Sequence, residues 1–158
     1  MKVWTTRFQS KRLAAEANAG TIVPVRISLG APKFQLKYPV TEEIRALAPS
    51  GRIFRIQDLD EYRQAFTRQL DRIGPSAING LLLEVAHRHE GQDLALLCFC
   101  NVLGGASCHR RIFADWWLEH TGEAILELPE HPQDEYRDNA MEAAQLGFDI
   151  TNPSEDQQ

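Results

Sequence analysis

The sequence predicts an α/β protein with a mainly parallel sheet, and two observations support this fold class. Short runs rich in β-branched and apolar residues alternate along the chain with segments of helical periodicity. One run, DLALLCFCN at 93–101, is almost continuously apolar, which is typical of a central parallel strand buried on both faces. The predicted architecture is therefore a three-layer, Rossmann-like fold in which helices flank the sheet.

The first forty residues predict two strands around one short helix. KVWTT at 2–6 suits a buried strand, and SKRLAAEAN at 10–18 suits a helix that Ser10 can cap. TIVPVRISLG at 21–30 is rich in β-branched residues, and its proline indicates an edge, a bulge or an irregular start. A proline-punctuated connection over 31–40 follows this strand.

The rest of the chain predicts four helices and two strands. TEEIRALAP at 41–49 begins with a capping pattern, and DLDEYRQAFTRQLDRIG at 58–74 has early acids and one apolar face. PSAINGLLLEVAHRHEG at 75–91 predicts the third helix, ahead of the apolar strand already described. CHRRIFADWWLEHTG at 108–122 predicts the last of them, and EAILELP at 123–129 predicts a final short strand.

Length and charge limit the class of protein. With 158 residues we expect one α/β domain over 1–130, followed by an acidic tail over 131–158 that is partly helical and disordered at its end. The net charge of -5 argues against a broad basic surface for duplex DNA. Residues 1–40 nevertheless hold seven Lys/Arg and a single acid, so the sequence allows a local anion site.

Neither a membrane segment nor a targeting segment is evident in the sequence. The apolar runs are a few residues long, whereas a spanning helix needs about 20. The N-terminal residues lack the apolar block of a signal peptide, and three cysteines close together do not form a secreted disulfide framework. We therefore expect a cytoplasmic protein with no membrane partner.

The stretch CFCNVLGGASCHRR at 98–111 follows the predicted central strand, where parallel sheets place their ligands. Its glycines, Gly104 and Gly105, permit close backbone approach. Ser107 lies at the start of the next helix, where free N–H groups favour an anion, and Arg110 adds forked donors. The pattern predicts an anion cradle, although it matches neither a Walker loop nor a GxGxxG loop.

The same stretch allows two interpretations that depend on sulfur. Cys108 at a helix start, beside His109 and two arginines, has the environment of a reactive thiol. The set Cys98, Cys100, Cys108 and His109 also supplies four potential zinc ligands. Two cysteines two residues apart on one strand fit a single tetrahedral ion poorly, and buried cysteine is an ordinary core residue. We therefore assign no metal and no cofactor from the sequence.

The chain resembles the family called domain of unknown function 488 over roughly residues 1–128. The segments that carry the resemblance are VWTTRF, VPVRISLGAPKF, and the strand LALLCFCN followed by CHRR at a helix start. The resemblance implies a compact α/β domain with polar residues gathered at the strand ends, and no established reaction. It also implies that the site of the Cys-His-Arg segment includes four further residues: Thr6, Arg7, Arg26 and Ser28.

These observations predict a protein that binds a phosphorylated or otherwise anionic ligand at the C-terminal ends of its strands. A nucleotide or a nucleic-acid end is the expected ligand. In an enzyme, Cys108 would be the nucleophile and His109 the proton carrier. The alternative is a non-enzymatic sensor or a protein-interaction module, in which the region of Trp116 and Trp117 would meet a protein partner.

Overall fold

Five parallel strands form one sheet in the order β3-β2-β4-β1-β5. The structure is a computed structural model, and it describes residues 1–100 and 108–131. The chain divides into two units, Met1–Leu128 and Pro129–Gln158, and the sheet with its helices belongs to the first. The strands are β1 (Val3–Arg7), β2 (Ile22–Arg26), β3 (Glu42–Glu43), β4 (Asp93–Cys98) and β5 (Leu126–Glu127).

Five α-helices accompany the sheet in the described part of the chain, and the predicted α/β fold is confirmed. They are α1 (Lys11–Ala19), α2 (Gly51–Phe54), α3 (Leu59–Ile73), α4 (Pro75–Arg88) and α5 (His109–Thr121). Helices α3, α4 and α5 contribute to a large apolar cluster with one face of the sheet, whereas α1 and the 36–40 segment cover the other face. In the described residues, no helix has both the length and the apolar character that crossing a membrane requires.

Strand β4 lies at the centre of the sheet, as its unbroken apolar sequence predicts. It pairs with β1 on one side and β2 on the other, and five of its six residues are buried. Successive side chains alternate between the two faces. Leu94 and Leu96 therefore join the cluster with α3, α4 and α5, while Ala95 and Leu97 join the cluster under α1.

Local sequence signals set the ends of the helices as predicted. Ser10 accepts a hydrogen bond from the backbone N–H of Leu13 and caps α1, and Asp58 caps α3 through Glu61. Helix α1 stops at Gly20, which has φ 73° and forms the left-handed turn that glycine adopts most readily.

Pro24 sits inside β2, although proline normally interrupts a sheet. The N–H of Ile27 bonds to β4, while the carbonyl of Arg26 accepts from Ile44 beside β3, so residues 24 and 26 direct their backbone groups toward β3. Strand β3 pairs only with Val25 and Arg26. At Pro24 the missing N–H therefore points toward the β3 side of β2 at a level that β3 does not reach, so the ladder loses no bond there.

Three expectations differ from the structure. The helix predicted over 41–49 is wrong: this segment forms β3 and then a single 3-10 turn over Arg45–Leu47, because the backbone of Glu42–Glu43 pairs with β2. The strand predicted over 21–30 ends at Arg26. Trp116 and Trp117 are both buried, with exposed fractions of 3% and 4%, so neither offers an open surface to a partner. The helical stretch predicted over 134–147 lies outside the described residues.

The alanine variant of Phe66 tests the larger core. The ring is completely buried, so its removal should lower the free energy of unfolding by about 3–5 kcal/mol. The matched change at Phe54, whose side chain is 66% exposed, should alter it by less than about 0.5 kcal/mol. Urea unfolding followed by circular dichroism measures both values, and equal losses would contradict the described core.

Candidate functional site

Three cysteines and one histidine meet at the carboxyl edge of the sheet. Cys98 is the last residue of β4, Cys108 is the residue that precedes the first turn of α5, and His109 begins that helix. The sulfur atoms of Cys98 and Cys108 are 2.7 Å apart, and Cys100 lies near enough to shift the pKa of both thiols. We call Cys98, Cys100, Cys108 and His109 the thiol–histidine cluster.

The His109 ring is fixed by a backbone hydrogen bond. Its Nε2 lies 2.9 Å from the carbonyl oxygen of Ile27, so Nε2 carries the proton and donates. The other nitrogen, Nδ1, then holds a lone pair and lies 3.9 Å from the sulfur of Cys108. The ring meets Phe66 edge-on at 5.9 Å and is 7% exposed. Burial lowers the pKa of His109, which keeps the ring neutral.

Interactions among the three thiols shift their pKa values in different directions. Hydrogen bonding to Cys108 and then Cys98 lowers the pKa of Cys100, while hydrogen bonding to Cys100 raises the pKa of Cys98 and of Cys108. Cys100 is also partly exposed, whereas the other two are buried. The interactions within the cluster therefore favour ionisation of the Cys100 thiol over ionisation of the other two.

Arg110 is buried next to this cluster, and each of the three nitrogens of its guanidinium has a protein partner. Its side chain is 1% exposed, with Nε and Nη2 donating to the two carboxylate oxygens of Glu127 at 3.2 and 2.6 Å. Its Nη1 contacts the sulfur of Cys98 at 2.9 Å and donates to the carbonyl oxygen of Cys100 at 2.6 Å. Thr5 donates a further hydrogen bond to Glu127 at 2.8 Å. Arg110 therefore ties α5, β4 and β5 together.

Two other arginines near the carboxyl edge also have protein partners. Arg111 donates to the hydroxyl of Thr5 at 3.1 Å and to the carbonyl of Ile125 at 3.2 Å. Arg26 forms a salt bridge with Glu43 on the neighbouring strand. An anion near Arg26, Arg110 or Arg111 would have to compete with these contacts.

The structure brings only some of the predicted site residues together. Cys108, His109 and Arg110 lie on the α5 side of the sheet, together with Thr5 and Glu127. Thr6 and Arg26 fall on the alternating positions that face the α1 side instead, and Ser28 lies two residues beyond the end of β2. Arg7 ends β1 in register with Cys98. The predicted residues Gly104, Gly105 and Ser107 lie outside the described residues.

A cleft opens on the α1 side of the same edge, which we call the α1 cleft. Its volume is about 330 Å³, and it lies between the start of α1 and the connection that follows β2. The hydroxyl of Ser28 donates to the carbonyl of Gly30, within that connection, at 2.7 Å. The cleft is lined by Phe8, Gln9, Ser10, Lys11, Ala14, Phe34, Gln35, Leu36, Lys37 and Tyr38.

Several residues around Arg110 and in the α1 cleft are not among the site residues that the sequence predicts. Glu127 and Thr5 gave no signal, because a contact across the sheet between residues 122 positions apart leaves no local pattern. In the 31–40 connection, the exposed aromatic Phe34 and the cations Lys33 and Lys37 are a visible signal of a binding surface. The prolines of that segment indicate a loop without a function of its own, and for this reason no binding residues are predicted in it from the sequence.

Comparisons of the chain with protein-family models, curated proteins and solved structures find no match. The resemblance to the domain of unknown function 488 therefore stays a prediction. Function has to be inferred from the geometry and chemistry of the described residues.

The Glu127→Gln variant tests the Arg110 ion pair. Loss of the carboxylate leaves a buried guanidinium without its counter-charge, so the free energy of unfolding should fall by about 3 kcal/mol. The double variant Arg110→Met/Glu127→Leu removes both charges and should recover most of that loss. Urea unfolding compares them, and a double variant less stable than Glu127→Gln would contradict the expectation.

The buried His109 should make stability depend on pH. Its pKa in the fold lies below the unfolded value of about 6.5, so the unfolded chain binds more protons in the window between the two. This contribution is complete above about pH 6.5 and is lost as the pH falls through that window. The slope of unfolding free energy against pH from about 7 to 5 should be shallower in His109→Gln.

Reduced, chelator-treated protein is required for this comparison, since thiol oxidation would alter the same cluster. The matched control is His87→Gln, because His87 lies on the exposed part of α4. A change of slope shared by both variants would show that the effect is not specific to His109. An unchanged slope in His109→Gln would contradict the assignment of a depressed pKa to this ring.

Proposed function

We propose that the protein binds a phosphorylated ligand that carries a planar ring, a nucleotide or the end of a nucleic-acid strand, in the α1 cleft. The observation that carries this proposal is the meeting of aromatic rings and two lysines in a cleft at the carboxyl edge of a parallel sheet. Parallel α/β folds bind their ligands at this edge. The ligand class is the one that the sequence predicts, at a different place.

The aromatic side chains supply the ring-binding part of the cleft. Phe34, which lines the cleft, is 41% exposed, and the neighbouring Phe99 is 48% exposed, so both rings are accessible for contact. Phe99 lies 4.9 Å from the ring of Phe8 and 6.4 Å from the ring of Phe34. An aromatic surface of this kind stacks nucleobases with little dependence on sequence.

The lysines supply the phosphate-binding part. Lys11 and Lys37 line the same cleft, in a region of the chain that is basic although the protein is acidic as a whole. A lysine ammonium binds phosphate as a mobile point charge. The arginines of the predicted site, Arg26 and Arg110, bind carboxylates of the protein, so an anion at the start of α5 would have to compete with these ion pairs.

The proposed function is binding, and no reaction is assigned to it. Cys108 and His109 are 1% and 7% exposed, so a nucleophile and a proton carrier at these positions would not reach a ligand in solvent. Their catalytic roles stay predictions from the sequence. Binding without turnover corresponds to the sensor that the sequence leaves as an alternative.

Binding measurements with two ligands test the proposal. The first is a 5′-phosphorylated single-stranded oligonucleotide of about eight nucleotides, and the second is a nucleoside monophosphate. Fluorescence anisotropy and isothermal titration calorimetry measure the affinities. Phe34→Ala should weaken binding by about 5- to 150-fold, the value of one aromatic–base stack. Lys37→Ala should weaken it as well and lower the salt dependence of the oligonucleotide affinity by about one charge.

Matched controls lie away from the cleft. Phe54→Ala removes a ring that is more exposed than Phe34, and Arg68→Ala removes an exposed cation of α3. Both variants should bind as the wild type does. Absence of binding by the wild type, or equal losses in the controls and in the cleft variants, would contradict the proposal.

A further inference from the structure

We infer that the thiol–histidine cluster is a binding site for a divalent transition metal of the zinc class, with Cys98, Cys100, Cys108 and His109 as its four ligands. This inference is independent of the α1 cleft, which lies on the opposite side of the sheet. Three sulfurs and one imidazole nitrogen form a donor set typical of closed tetrahedral zinc sites.

Three of the four donor atoms already lie close together. The sulfurs of Cys98 and Cys108 and a ring nitrogen of His109 all lie within 4.8 Å of one another, and all three residues are buried. Cys100, two residues beyond Cys98 and partly exposed, is the residue that would supply the fourth ligand. A zinc ion with metal–sulfur bonds of about 2.3 Å holds two sulfurs about 3.8 Å apart. Zinc binding would therefore move the sulfurs of Cys98 and Cys108 about 1 Å further apart than their present 2.7 Å.

The orientation of His109 fits a ligand better than it fits a core residue. Metal-bound histidines almost always donate their second ring N–H to a carbonyl or carboxylate, and here Nε2 donates to Ile27. That bond leaves the lone pair of Nδ1 directed toward the sulfurs, 3.9 Å from Cys108. A disulfide between Cys98 and Cys108 would offer the buried Nδ1 lone pair of His109 no hydrogen-bond donor, whereas a metal ion would bind this lone pair.

The surroundings of the sulfurs favour thiolates. Nη1 of Arg110 lies 2.9 Å from the sulfur of Cys98 and 3.7 Å from that of Cys108. A neutral thiol is a weak acceptor for a buried cation, and a metal-bound thiolate is a strong one. Three thiolates and one neutral imidazole around a divalent ion carry one negative charge, which the guanidinium faces at close range.

The end of β4 removes the objection that the spacing of Cys98 and Cys100 raises. If both residues lay on one strand, their side chains would point the same way from fixed positions. Strand β4 ends at Cys98, so Cys100 lies beyond the regular backbone. The two thiols can therefore approach one ion from different directions.

Metal titration of the reduced, chelator-stripped full-length protein tests the site. With Zn²⁺, competition against a chromophoric chelator should give one ion per chain, and the melting temperature should rise with zinc concentration. With Co²⁺, thiolate-to-cobalt charge transfer and intense visible bands should report sulfur ligands in tetrahedral geometry. This spectrum needs no variant, so it remains decisive if a cysteine variant fails to fold.

The ligand variants assign the donors individually. Cys98→Ser, Cys100→Ser, Cys108→Ser and His109→Gln should each weaken zinc binding by more than about tenfold, a loss that even a change behind the ligands can cause. His87→Gln, on the exposed part of α4, should bind as the wild type does. Wild-type affinity in any of the four would overturn the set of ligands.

The competing state of the cluster is a disulfide. Mass spectrometry after alkylation separates the two, because a disulfide blocks two thiols and survives the chelator. Failure of the stripped, reduced wild type to take up Zn²⁺ or Co²⁺ would overturn the metal site, and oxidation of Cys98 with Cys108 in that protein would then identify a redox pair. Neither result would affect binding in the α1 cleft.

Discussion

The ion pair of Arg110 and Glu127 is the contact on which the carboxyl edge of this fold depends. A guanidinium that is 1% exposed is costly unless every donor finds an acceptor, and here its donors join α5 to β5 and to the end of β4. Strand β5 has two residues, so backbone pairing alone holds it weakly. By holding the first turn of α5 against β5, the same ion pair also positions Cys108 and His109 near the end of β4.

The alternation of side chains across the sheet separates the two candidate sites. Thr5 joins the ion-pair network beside α5, and its neighbour Thr6 faces the side that α1 covers. Residues that are adjacent in sequence therefore lie on opposite faces of the sheet and belong to different candidate sites. The α5 side gathers sulfur, nitrogen and a buried charge pair, which suits a metal, while the α1 side gathers exposed rings and lysines, which suit a phosphorylated ligand with a planar group.

The sequence predicts the fold well and the site only in part. Strand β4 follows from its apolar run, and helix α3 follows from its early acids and its apolar face, which are local signals. The helix predicted over 41–49 fails because pairing with β2 overrides a local capping pattern. The partners of Arg110 could not be predicted, since the choice between an incoming anion and Glu127 depends on the register of β1 and β5.

The two outermost strands are the shortest in the sheet, with two residues each, and both contain glutamate: Glu42–Glu43 in β3 and Leu126–Glu127 in β5. A long, flat outer strand offers unpaired backbone groups to another chain, and brevity and charge remove that opportunity. The sheet is therefore expected to resist strand-to-strand association between molecules at high concentration, although its centre is one of the most apolar segments of the chain.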